Sequence, residues 1–367
     1  MQFKTMNERI YKIVDKINAI KNGLNANFLE RKNAVDMIVL SVISGKHSIL
    51  IGGPGLAKTA VLKALAGRVK GLKFFDFQMT PATGIDELLS CEYKGAVEAS
   101  RAISEEKAGT GGNVSEWGSG RSQNKIGIDN CDIALIDEFF KCPHSTLNSL
   151  LSIMNERIMY YGKSEPVKIP LISLFASSNE RPDKSSDSNL LPLYDRFLFR
   201  MEIAPVKSEE NFKKLLELKD TDIYENNENK KKNETYIGEE ITEAGGQTGD
   251  AGGIEGEESE RAAAGAGGAG DFLLREDLDI LSKTAENTEI RADILNKMYL
   301  IREELKNKQV IVSDRRWRET VKILKTAAVL DKRSYVAIED LRMIEPSLWT
   351  YYSDIRAVRN VVGRILK

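Results

Sequence analysis

Ile10, Ile13, Val14, Ile17 and Ile20 fall on one face of a 3.6-residue period, which predicts an amphipathic helix over residues 7–22. A second helix is predicted at about 30–44. The pattern then changes. Ser48-Ile49-Leu50-Ile51-Gly52 is a short apolar run stopping in glycine, the shape of a strand buried on both faces. Residues 59–70 return to helical spacing. Further strands are predicted at 73–77, 132–136, 171–177 and 197–203, with helical segments between them, including 145–155. Strands alternating with helices predict an α/β fold, with a mainly parallel five-stranded sheet between helices.

Two stretches interrupt this alternation. Residues 108–127 are rich in Gly, Ser and Asn and read as a mobile loop, while 158–161 and 167–169, joined through Gly162-Lys163-Ser164, read as a small β-hairpin. From 221 to 270 the periodicity is lost. That segment holds 11 of the 28 glycines and 12 acids against 4 bases, so it lacks the apolar surface to offset its ordering entropy. It is predicted to be a disordered linker. After it, residues 271–367 read as helical throughout, with Trp317, Val321, Leu324 and Ala328 on one stripe and Ile355, Val358, Val362 and Ile365 on another. The predicted organisation is an α/β domain over 1–220, the linker, and a C-terminal all-helical domain over 271–367.

Composition narrows the function. The net charge of −2 conceals the acidic linker, and the rest of the chain carries a surplus of only six bases, too mild for a nucleic-acid footprint. Cys91, Cys131 and Cys142 form no C-x-x-C pair, and His47 and His144 are the only histidines, which argues against a zinc site, a disulfide framework or a His-centred triad. With no apolar h-region at the N-terminus and no run of about 18 apolar residues, neither a signal peptide nor a membrane span is predicted, and a reducing cytoplasm fits.

The candidate chemistry sits at predicted strand ends. Gly52-Gly53-Pro54-Gly55-Leu56-Ala57-Lys58-Thr59 matches G-x-x-x-x-G-K-[ST] except that Ala57 replaces the second glycine. A strand runs in and a helix runs out, so backbone N–H groups can turn toward a phosphate at a helix N-terminus, through to Ala60. Lys58 brings a point charge to the β- and γ-phosphates, and Thr59 offers a hydroxyl to Mg²⁺. The plain alternative is a glycine-rich turn before an ordinary helix. Ile133-Ala134-Leu135-Ile136-Asp137-Glu138 ends an apolar strand in two acids, whose burial is costly without a nearby cation. Magnesium at the phosphate loop is that cation, held by Asp137 through water while Glu138 polarises the attacking water. Asn179, at the tip of Leu174-Phe175-Ala176-Ser177-Ser178, either orients that water or is a simple turn residue.

The order of phosphate loop, Ile-Asp-Glu, Asn-tipped strand and Asp195-Arg196-Phe197 resembles the AAA+ ATPases. More narrowly it is similar to the MoxR family and its RavA branch (regulatory ATPase variant A). Gly-x-Pro-Gly-x-Ala-Lys, Met154-Asn155-Glu156-Arg157, Ser178-Asn179-Glu180, Leu193-Tyr194-Asp195-Arg196-Phe197 and Val312-Ser313-Asp314-Arg315-Arg316-Trp317 carry the resemblance, over about 7–220 and 271–350. It implies an AAA+ core with a helical lid, ATP and Mg²⁺ as cofactors, and a ring oligomer, expected to be a hexamer. Asn179 would be sensor 1, Arg196 an arginine finger acting in trans, and Arg315, ahead of Arg316, sensor 2. Leu29 would close the adenine pocket by backbone contact. An insert at about 82–128 and a pre-sensor hairpin at about 158–169 are implied too. By the residues alone, Arg196 could instead pair with Asp195, and Arg315 could face solvent.

Two departures bear on partners. The 221–270 segment is longer and more biased than the usual link to the lid, and the sequence ends soon after the lid, so a RavA-specific partner is not expected. The function implied is a chaperone-like remodelling or activation machine working on a protein client, often with a von Willebrand factor A-domain partner. The alternatives are a nucleotide-gated binding module with incidental turnover, and a P-loop kinase.

Overall fold

The computed structural model describes residues 2–90, 126–160, 166–180, 191–217 and 272–366. The predicted mobile loop at 108–127 lies outside them except for its last two residues, and the linker and the hairpin tip lie outside them altogether. Five strands form the main sheet: β1 (Ser48–Ile51), β3 (Phe74–Gln78), β4 (Ile133–Asp137), β7 (Ser173–Ser178) and β8 (Phe199–Glu202). Their order is β3-β4-β7-β1-β8, and every pairing is parallel. The predicted α/β fold is observed.

Parallel pairing explains the uninterrupted apolar runs, because both faces are covered. Every residue of β1 and β7 is buried. Successive side chains point to opposite faces. Ile49, Ile51, Ala134, Ile136, Leu174 and Ala176 join one core, whereas Leu50, Ile133, Leu135, Phe175, Phe199 and Met201 join the other. On the second face lie α1 (Gln2–Asn27), α2 (Lys32–Ser44) and α3 (Lys58–Ala66), through Ile13, Ile17, Val39, Leu62 and their neighbours. Helix α1 runs beyond the predicted 7–22 at both ends. The first face is covered by α4 (His144–Glu156), through Leu147, Leu150 and Ile153.

The same parallel register sends the C-terminal ends of β1, β4 and β7 to one edge, where open α/β sheets bind ligands. At the opposite edge Arg157, the last residue of the Met-Asn-Glu-Arg motif, ends α4 in a left-handed conformation. Its guanidinium donates to the carbonyls of Met154 (2.7 Å), Ile172 (3.0 Å) and Gly45 (3.2 Å), so the motif fastens α4 to the starts of β1 and β7.

The predicted hairpin is present as β5 (Ile158–Met159) antiparallel to β6 (Val167–Lys168). Two predictions differ. The helix expected over 59–70 ends at Ala66, and Val69–Lys70 forms β2, paired in parallel with β9 (Leu273–Leu274). The segment 271–367 is therefore not helical throughout. Its first elements belong with the sheet domain. Leu278, Leu281 and Ala285 of α7 (Arg275–Glu286) share a core with Ile17 and Val39, and Arg275 Nε donates to Asp132 Oδ1 (2.8 Å) beside β4. Helix α7 follows two short helices of the preceding part, α5 (Leu191–Arg196) and α6 (Glu209–Glu217). Beyond α7 come α8 (Ala292–Asn307), α9 (Asp314–Leu330), α10 (Glu345–Leu348) and α11 (Ile355–Ile365).

A polar knot joins this helical part to the sheet domain. Arg316, buried in the first turn of α9, donates from Nε to Asp195 Oδ1 (3.0 Å) and from its Nη atoms to the carbonyls of Ser347 and Trp349 and the hydroxyl of Thr350. Ser313 caps α9 through Arg316 N and also donates to Asp195 (3.0 Å). Arg200, fully buried on β8, reaches the Trp349 and Tyr194 carbonyls.

Candidate nucleotide site

The loop after β1 takes its shape from residues that lack or tolerate the absence of a side chain. A Cβ at Gly52 would lie 2.4 Å from the Ile203 carbonyl oxygen, so only glycine lets the loop leave the sheet there. Gly55 sits at φ +74°. Ala57 caps α3 at φ +57°, ψ +25°, in the left-handed region, which costs a non-glycine residue about 1 kcal/mol. The methyl group that replaces the expected glycine is thus accommodated, with backbone strain at the residue before Lys58. Gly53, Pro54 and Gly55 are exposed; Leu56, Ala57, Lys58, Thr59 and Ala60 are half-buried at the entry to α3.

Three strand ends converge on Lys58. Its ammonium donates to the Gly52 carbonyl (2.6 Å) and to Asn179 Oδ1 (2.6 Å), and Asn179 Nδ2 donates to Glu138 Oε1 (2.6 Å). An ammonium only donates and a carboxylate only accepts, so the amide has one orientation that serves both. Burial lowers the pKa of Lys58, opposed by the charges of Asp137 and Glu138. Asp137 accepts at Oδ1 from the Ser177 hydroxyl and from Glu138 N (3.1 Å). Glu138 stands at φ +53° and pairs through Oε2 with Lys141 (3.4 Å). The predicted Lys58, Asp137, Glu138 and Asn179 are therefore one cluster.

The donor set suits a hard cation. Among the described residues neither Asp137 Oδ2 nor the Thr59 hydroxyl has a hydrogen-bond partner, and both are the oxygen ligands magnesium prefers. No cluster of three or more His, Cys, Asp or Glu side chains occurs among the described residues. Any magnesium would depend on these two side chains plus phosphate oxygens and water.

Leu29 is half-buried and precedes Glu30, at φ +58°. The Glu30 carboxylate accepts from Lys207 N (2.8 Å), Ser208 N (2.8 Å) and Asn211 Nδ2 (3.0 Å), which lowers its pKa to about 2. Since Ile203 lies against Gly52, the 203–208 stretch links the Leu29 segment to the loop.

Arg196 and Arg315 are not joined to this cluster by any bond among the described residues. Asp195, beside Arg196, is bonded to Arg316 and Ser313 at the start of α9, which also carries Arg315. The Asp195 carboxylate is thus used by Arg316, not by Arg196. Arg196 Nε and Arg315 Nη1 are both buried and have no hydrogen-bond partner among the described residues. Arg316 has its donors engaged.

Sequence reading missed Ser177, Lys141 and Arg200. A charged residue inside Phe199-Arg200-Met201 was the available signal for the last. Ser177 and Lys141 carried none, because a serine near a strand tip and a surface lysine are ordinary.

Comparison with known proteins agrees with this arrangement. Residues 47–197 match the AAA domain (dynein-related subfamily), and residues 293–362 match the AAA lid domain, whose match begins at α8, after α7. The chain is 30% identical over 351 residues to the uncharacterized protein MJ0079 of Methanocaldococcus jannaschii, covering 95% of this chain and 74% of that one. It is 28% identical over 334 residues to MJ0812 of the same organism, covering 90% and 70%. Its fold resembles the crystal structure of a "putative ATPase" from Cytophaga hutchinsonii, with a TM-score of 0.62 and 16% identity over 100% of this chain and 98% of that one. No helix among the described residues is long and apolar enough to cross a membrane. Phosphate loop, acidic strand end, Asn-tipped strand and lid occur in one chain in the expected order, and the chain belongs to the AAA+ ATPases, with an AAA domain of the dynein-related subfamily and an AAA lid.

Proposed function

We propose that the protein hydrolyses ATP with magnesium at Gly52–Ala60, in a ring oligomer where Arg196 of one copy completes the site of the next. The observation that carries this reading is the hydrogen-bonded series Lys58–Asn179–Glu138, which ties the phosphate loop to the tips of β7 and β4. Lys58 would bind the β- and γ-phosphates, exchanging its long contact with the Ser178 carbonyl (3.5 Å) for phosphate oxygens. Thr59 and Asp137, the latter through water, would hold magnesium, which lowers the charge cost of the departing phosphate. Glu138 accepts a proton from the attacking water, and Asn179 orients the two. Leu29 closes the adenine side.

Arg196 and Arg315 act from outside the cluster, on two segments joined through Asp195, Ser313 and Arg316. This favours Arg315 over Arg316 as the sensor 2 residue, since Arg316 has its donors engaged. The energy serves a chaperone-like remodelling or activation of a protein client, of MoxR and RavA type, with a von Willebrand factor A-domain protein as the candidate partner. A hexamer in the cytoplasm is the expected form.

Steady-state phosphate release with the Glu138→Gln and Arg196→Ala variants tests the chemistry. Each should bind ATP with affinity close to wild type and lose turnover by about 100-fold or more. Wild-type turnover in Arg196→Ala would remove the shared site.

A further inference from the structure

Glu138 begins a short 3₁₀ turn, Phe139–Lys141, whose two aromatic rings lead away from the cluster. Phe139 is fully buried and meets Phe197 edge to face, with ring centroids 5.1 Å apart. Phe140, partly buried, lies against Tyr194 at 4.4 Å, and the two phenylalanines meet each other at 5.2 Å. Tyr194 and Phe197 flank Asp195 and Arg196 in sequence. The Tyr194 carbonyl is in turn held by Arg200 Nη2 at 2.5 Å, and Arg200 also reaches Trp349 in the helical part. Four rings therefore connect the residue that activates water in a chain's own site to the arginine that chain offers elsewhere.

The start of this path is a strained point. Glu138 holds a left-handed backbone, a conformation a glutamate keeps only when its surroundings impose it. Its side chain is fixed by Asn179 and Lys141, and Asn179 is fixed by Lys58. Ligand contacts at Lys58 thus bear directly on the residue from which the aromatic turn departs.

We propose that Phe140 and Tyr194 are positioning residues that couple Glu138 to Arg196, so that the state of a chain's own nucleotide site sets the position of the arginine it presents to its neighbour. This rests on the reading that Arg196 works in trans. Phe140 is the better probe because it is only partly buried, whereas Phe139 and Phe197 fill the core.

Phosphate release, ATP affinity and thermal unfolding would be measured for Phe140→Leu, Tyr194→Leu, their double variant and Tyr194→Phe, all in the full chain. Coupling predicts that each leucine variant loses about fivefold or more in kcat, with flattened dependence on ATP concentration and ATP affinity within about twofold of wild type. The double variant should be no slower than the worse single one, and Tyr194→Phe, which keeps the ring, should match wild type. A folded Phe140→Leu protein with wild-type kcat and wild-type ATP dependence overturns the proposal. So do losses that simply multiply in the double variant, since independent packing defects behave that way. Mixing Arg196→Ala with Glu138→Gln protein separates the two layers. Recovered turnover in that mixture alongside a wild-type Phe140→Leu removes the coupling alone, whereas a silent mixture removes the trans reading and the coupling with it.

Discussion

An added methyl group at Gly52 would overlap the Ile203 carbonyl, and the neighbour is backbone, which cannot swing aside. Gly52→Ala is therefore expected to shift the loop, with ATP affinity falling by about tenfold or more in a fluorescent-nucleotide titration. Ala57 is the opposite case, a side chain already present at a left-handed φ. Glu30 provides a pH test. Its hydrogen bonds to Lys207, Ser208 and Asn211 hold its pKa at about 2, below the ordinary 4.5. A carboxyl with a lowered folded pKa adds stability above its unfolded pKa and loses it as pH falls through the window from 4.5 to about 2. Glu30→Gln should thus unfold at lower temperature than wild type at pH 7, and the gap should close across that acid window. An undiminished gap at the acid end would contradict the role given to Glu30.

At the scale of elements, the five sheet strands were legible because parallel strands buried on both faces read as unbroken apolar runs. The phosphate loop was legible because a strand, glycines and Lys-Thr fall in one local window. What was not legible depends on partners far away in sequence. Val69–Lys70 looks like the tail of a helix until Leu273–Leu274 arrives, about 200 residues later, to pair with it. The same return brings α7 onto α1 and α2, so the first helix after the acidic segment reads as lid but packs as core. Asp195 has the same ambiguity, since only the fold shows that its partner is Arg316 and not the adjacent Arg196. Arg316→Ala should leave the Ser347 carbonyl without that donor, and Asp195 and the Trp349 carbonyl with only Ser313 and Arg200. Buried polar networks broken on one side lose about 3 kcal/mol, so a fall in the denaturant midpoint is expected. An unchanged midpoint would mean that the knot does not hold lid to core.

For the whole molecule, the proposed site divides between what one chain contains and what a second copy would supply. Lys58, Asp137, Glu138 and Asn179 are assembled within a single chain. Arg196 and Arg315 lie outside that cluster, each with a buried nitrogen that has no hydrogen-bond partner among the described residues. In the proposed head-to-tail ring, Arg196 of one copy would meet the cluster of the next, and closed rotation would keep the contact from growing into a filament. Mixing two inactive variants tests this division directly. Glu138→Gln protein retains Arg196, and Arg196→Ala protein retains Glu138. In equal mixture, about a quarter of the contacts in a randomly assembled heterologous ring join the two intact halves. Phosphate release is expected to return on mixing, toward a quarter of the wild-type rate. If the mixture stays as inactive as its components while still assembling, Arg196 does not serve a neighbour's site.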